Sequence, residues 1–140
     1  MDASLTAYLL AAAIRITGLA PVTVDELPPF VALASRDLER QVCPDGGPGC
    51  RGIVAYFDAL HYRVLYLDSL NLDDPFDHSF LLHEMVHVLQ HRQEGNAMYE
   101  DCRALLRTEA QAYRAQNIYL RAHDQLAYVG TRLSQAACTQ

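Results

Sequence analysis

At 140 residues, 51% hydrophobic and 20% charged, the chain has the composition of one soluble globular domain over residues 1–140, long enough to bury a real core. A formal net charge of −6 with no basic run argues against a nucleic-acid partner. No apolar run reaches the ~18–20 residues of a membrane span.

The first apolar stretch, Leu5–Ala20, reads as an amphipathic helix with Leu5, Leu9, Ala12, Ala13 and Ile16 as its buried stripe and Gly18 as its stop. It lacks the basic lead-in of a secretory signal, and Arg15 interrupts it. Beyond Pro21 the chain turns through Val22–Glu26 to Pro28-Pro29. Phe30–Ala34 is a short extended piece, and Ser35 is the expected N-cap of a helix over Arg36–Val42.

Cys43 and Cys50 bracket a loop of Pro, Asp and Gly. A short, turn-rich loop brings two thiols together at low entropic cost, which points to a local disulfide. Cys102 and Cys138 remain. Four cysteines allow three pairings, which sequence alone leaves open; the favoured set is Cys43–Cys50 with Cys102–Cys138. The even count and the absence of a Cys-x-x-Cys knuckle suggest an oxidising compartment, periplasmic or secreted.

Gly52–Asp58 and Tyr62–Asp68 are rich in β-branched and aromatic residues and read as two strands of a hairpin. The link Ala59-Leu60-His61 lacks the glycine that a three-residue turn favours. Tyr62–Leu67 is the expected edge strand, placed to hold an extended peptide.

The central feature is Phe80-Leu-Leu-His83-Glu84-Met-Val-His87-Val-Leu-Gln90, a His-Glu-x-x-His motif within an apolar run. Asp74 is the expected N-cap, Pro75 suits the first helical position, Asp77 completes a capping box and Gly95 ends the helix. Residues four apart share a helix face, so His83 and His87 can offer nitrogens to one metal ion. Glu84 lies roughly 100° round, on the flank where a general base is needed. Two histidines and a glutamate in a buried helix are costly unless they have partners, which favours a metal site over an incidental pair.

Tyr99–Gln125 has no internal Pro or Gly and reads as one helix. Leu105, Leu106, Glu109, Ala112, Tyr113, Gln116 and Leu120 fall on one side of it. Glu109 sits within this apolar face. It is either paired to Arg107 or Arg114, or it is the third metal ligand of a His₂Glu set.

His83-Glu-x-x-His87, followed after 21 intervening residues by Glu109 on a second helix, resembles the gluzincin metallopeptidases. Over roughly Gly52–Leu120 the chain is similar to minimal gluzincins and to small zincin-like domains of exported bacterial proteins. The resemblance implies an α+β, mostly helical, zincin-like fold with a small sheet beside the active helix. It implies Zn2+ held by His83, His87 and Glu109, with Glu84 as general base and acid, hydrolysing a peptide or protein substrate. Many gluzincins carry an aspartate four residues after the third ligand; here that place is Tyr113, the candidate for stabilising the oxyanion. His91 lies about 12 Å along the axis from His83, too far to share one ion, and reads as a C-terminal cation. His61, His78 and His123 have no assigned role. The alternative is a non-catalytic exported binding module, with the metal as a structural pin between two helices; Glu84 has no purpose in such a pin.

Overall fold

In the computed structural model, which describes residues 1–135 and Cys138, the chain is a mostly helical α+β fold. Helix α1 (Ala3–Thr17) starts at Asp2, whose side chain accepts from Leu5 N–H, and stops at Gly18 in the left-handed conformation, φ 70°. Strand β1 (Phe30–Leu33) leads into α2 (Ser35–Val42). Strands β2 (Ala55–Asp58) and β3 (Arg63–Leu67) precede the long α3 (Pro75–Glu94) and α4 (Cys102–Ala122). Short 3₁₀ turns cover Val24–Glu26, Pro48–Cys50, Gly95–Tyr99 and Thr131–Gln135.

Helix α3 is apolar on nearly all faces because it is covered on nearly all of them. Leu81, Leu82, Met85, Val86 and Leu89 pack with Leu9, Leu10, Ala12 and Ala13 of α1, Ala112, Ala115 and Tyr119 of α4, and Tyr66 of β3. On another side Val88 meets Phe57 and Val64 of the sheet. Both disulfides of the favoured set are formed, Cys43–Cys50 and Cys102–Cys138, and they fit an oxidising compartment.

Several local expectations are corrected by the tertiary contacts. The sheet order is β1-β3-β2, with β1 parallel and β2 antiparallel to β3. Tyr62–Leu67 is therefore the centre of the sheet and not its edge, because β1 returns to pair with it over a long sequence separation. The edge beside α3 is β2. The hairpin link closes without glycine because Tyr62 itself takes φ 51°, held by a bond from its hydroxyl to the Glu26 carbonyl and by its ring edge on Phe57. Asp77 accepts from Asn71 N–H at 2.7 Å, tying down the entering loop, while Asp74 accepts from Phe76 N–H; the two do not form a capping box. Ser35 is the first residue of α2 and Ala34 takes the cap position.

The last long helix begins three residues later than expected. Asp101 accepts from Ala104 N–H at 2.8 Å and so sets α4 apart from the 3₁₀ turn before it. Its buried face is Thr108, Ala112, Ala115, Gln116, Tyr119 and Leu120. Leu105 is 44% exposed, because the first turns of α4 border a cleft rather than the core.

Candidate metal centre

The capped, glycine-terminated α3 is packed between α1, α4 and the sheet, and it presents His83 and His87 one turn apart towards α4. Both rings are nearly fully buried. Their Nε2 atoms lie 3.2 Å apart. Glu109, one face of α4, points between them: its Oε1 is 3.3 Å from His83 Nε2 and in direct contact with His87 Nε2. Donor atoms of the three residues all lie within 4.8 Å of one another, so the cluster can hold one metal ion. Among the described residues Glu109 pairs with the two histidines rather than with Arg107 or Arg114, and Arg107 bonds Glu94.

The chemistry of the donors fits a cation. His83 Nδ1 faces Gln116 Oε1 at 2.9 Å, and His87 Nδ1 faces Gln90 Oε1 at 2.8 Å. Each amide oxygen can only accept, so each Nδ1 must carry the proton. Both Nε2 lone pairs then converge with a carboxylate oxygen, and three acceptors at this spacing repel unless positive charge lies among them. Two imidazoles and one carboxylate are a ligand set that first-row divalent metals favour.

The electrostatics of the cluster carry the same signature. Burial lowers the affinity of His87 for a proton, but its bond to Glu109 and the charges of Glu84 and Glu109 outweigh that, and its pKa is pushed up to about 9. Burial works to raise Glu109, yet the two imidazoles packed against its carboxylate hold it well below the usual carboxylate range. Glu84 is pushed up by burial, with opposing help from His87 and His83. The site is therefore an anionic pocket in which positive charge is shared.

Glu84 adjoins the cluster with a fixed orientation. Its Oε1 accepts from Phe57 N–H of β2 at 2.9 Å, and its Oε2 stands 3.9 Å from His83 Nε2. Glu84 is thus anchored through one oxygen to the sheet edge, leaving the other beside the His83–His87–Glu109 cluster. The Tyr113 ring lies 4.5 Å from the His83 ring at a steep angle. Burial, then Glu109 and Glu84, raise its pKa. His91 stays outside the cluster, its ring edge-on to Phe57 at 5.5 Å in the last turn of α3.

The cluster opens into a cleft of about 540 Å³ between β2, α3 and α4. Three tyrosines line it, Tyr56, Tyr99 and Tyr113, with no lysine or arginine among the described lining residues. Burial and the neighbouring Tyr56 and Glu84 push Tyr99 up to about 12, so all three phenols remain protonated donors at neutral pH. Sequence reading gave no role to Tyr56, Tyr99, Gln90 or Gln116. The glutamines had a signal: Gln90 follows His87 by three positions and Gln116 follows Glu109 by seven, which places each on the face of a ligand.

Residues 29–138 match the family described as Domain of unknown function (DUF6647), and the chain belongs to that family. No curated protein and no solved structure matches it.

Proposed function

We propose that this protein is a zinc-dependent metalloendopeptidase of gluzincin type, exported to the periplasm or secreted. The observation that carries the reading is the convergence of His83 Nε2, His87 Nε2 and Glu109 Oε1, with Glu84 Oε2 beside them. The resemblance of the His-Glu-x-x-His and downstream glutamate to gluzincins supports it, and the two disulfides support the compartment.

Bound by His83, His87 and Glu109, a Zn2+ ion would supply Lewis acidity towards a peptide carbonyl and lower the pKa of a bound water to about 7. Glu84 does the proton work of this chain. Its Oε1 is occupied by Phe57 N–H, so Oε2 takes the proton from water and later returns it to the leaving amine nitrogen. Burial that raises the Glu84 pKa makes its protonated form accessible, which suits a group that must accept and then give back a proton. The protonated phenols of Tyr113 and Tyr99 supply hydrogen bonds to negative charge developing on the carbonyl oxygen. The outward N–H and C=O groups of Ala55 and the C=O of Phe57 are the part of the β2 edge not paired with β3, and they are suited to an extended peptide.

The test is Glu84→Gln, with zinc content and peptide hydrolysis measured side by side on wild type and variant. The expected result is zinc at one equivalent in both and hydrolysis in the wild type alone. Hydrolysis retained by the variant would sink the mechanism. Zinc bound by a wild type that cleaves no peptide would leave the non-catalytic binding module in its place.

A further inference from the structure

Both ligand histidines are held by glutamines, and each glutamine is itself immobilised. Gln90, on α3, donates through its amide nitrogen to the Thr108 carbonyl at 3.0 Å and to Gln111 Oε1 at 2.9 Å, both on α4. Gln116, on α4, donates to Ser79 Oγ at 3.1 Å on α3, and Ser79 in turn donates to the Phe76 carbonyl at 2.6 Å. With the amide nitrogens so committed, only the oxygens can face the rings, and they do: Gln90 meets His87 and Gln116 meets His83. Both glutamine side chains are almost wholly buried, so neither bond can be exchanged for one to water.

We propose that Gln116 and Gln90 are the positioning residues of the metal centre, each locking one histidine in its Nδ1–H form with Nε2 turned to the ion. The proposal rests on the metal-site reading above and adds the groups that preorganise it. Two properties follow from the geometry. The anchoring bonds cross between α3 and α4 in opposite directions, so the same two glutamine side chains that aim the imidazoles also tie together the helix pair carrying His83, His87 and Glu109. The partners are neutral amides rather than carboxylates, so they orient the rings without adding to the negative charge of a pocket that already holds Glu84 and Glu109.

The test is zinc affinity, read by competition with a chromophoric chelator, for the full chain and for Gln116→Met, Gln90→Met and Gln116→Glu. Methionine keeps the volume and removes the acceptor; glutamate keeps the acceptor. Loss of an orienting partner is expected to weaken zinc binding by about 10- to 100-fold in each methionine variant. The glutamate variant should bind zinc more tightly than Gln116→Met, because its carboxylate still accepts from Nδ1–H. Methionine variants that fold as wild type by circular dichroism and bind zinc as tightly would overturn the proposal. Should they fail to fold, the zinc-loaded wild type decides through its imidazole ¹⁵N spectrum. Two rings protonated at Nδ1 and metal-bound at Nε2 support the assignment, and either ring bound through Nδ1 overturns it. A wild type that binds no zinc would refute the metal-site reading itself, and this assignment with it.

Discussion

Gly130 lies in the segment that follows α4, and it lets that segment close against the site. The segment is pinned to α4 by Asn117, which donates to the Val129 carbonyl at 3.0 Å and accepts from Val129 N–H at 2.8 Å. Val129 lines the cleft beside Tyr113. At Gly130 the backbone has φ +78°, and an added Cβ would fall 2.5 Å from Tyr113 Cγ and 2.8 Å from its Cβ. Those atoms are the root of the tyrosine, which cannot swing aside as a flexible tip could, and its ring is already against His83. Gly18 has a similar φ, +70°, with nothing within 4 Å of the same position. Alanine at Gly18 thus carries only the cost of the left-handed conformation, about 1 kcal/mol. Alanine at Gly130 carries that plus overpacking of about 1–3 kcal/mol, a total of about 2–4 kcal/mol. Urea unfolding of the two variants measures the difference directly. Local detachment of the segment could cap the global cost, so hydrogen exchange at the Val129 amide is the companion readout. Gly130→Ala costing no more than Gly18→Ala, with Val129 protection unchanged, would refute the packing of this segment on Tyr113.

The two disulfides should differ in worth. Residues 102 and 138 are separated by 36 positions and residues 43 and 50 by 7, and chain-entropy scaling gives about 4 and about 2 kcal/mol respectively. Paired Cys→Ser variants, unfolded in urea, should show the larger loss for Cys102–Cys138, and the reverse order would count against that account. In chelated protein the pKa of His87, raised from 6.5 to about 9, contributes stability that is complete below about pH 6.5 and lost as pH rises through about 9. The depressed Glu109 acts oppositely: its contribution is present above about pH 4.5 and is lost as the solution is acidified. Thermal unfolding against pH should therefore peak between these limits without metal. Added zinc should lift and broaden the alkaline side, because the ion takes the place of the His87 proton; a zinc-independent profile would argue against the cluster as a metal site.

Much of the site is legible in the linear chain because its geometry is local. His83 and His87 share a face through the 3.6-residue period, and Asp74, Pro75 and Gly95 bound the helix through their own backbone chemistry. The turn-rich loop brings Cys43 to Cys50 by its shortness. Glu109 is conspicuous as a carboxylate within an apolar stripe, though its choice of partner is not decided by the stripe: only the docking of α4 on α3 sets it against two histidines and leaves Arg107 to Glu94.

What the chain by itself determined is therefore the central helix α3, its ends, the shared face of His83 and His87 and the helical neighbours. What only the tertiary structure decided is everything that depends on contacts across long separations. The parallel return of β1 onto β3 made Tyr62–Leu67 central and gave the edge to β2, whose Phe57 N–H fixes Glu84. The rotation of α4 about its axis, set by close packing at Ala112 and Ala115, put Leu105 on the cleft and aimed Gln116 at His83. Hydrophobic periodicity marks a face only to within a turn, because burial is non-directional; hydrogen bonds among His83, His87, Gln90 and Gln116 need tenths of an ångström, and that precision arises only once the helices have packed.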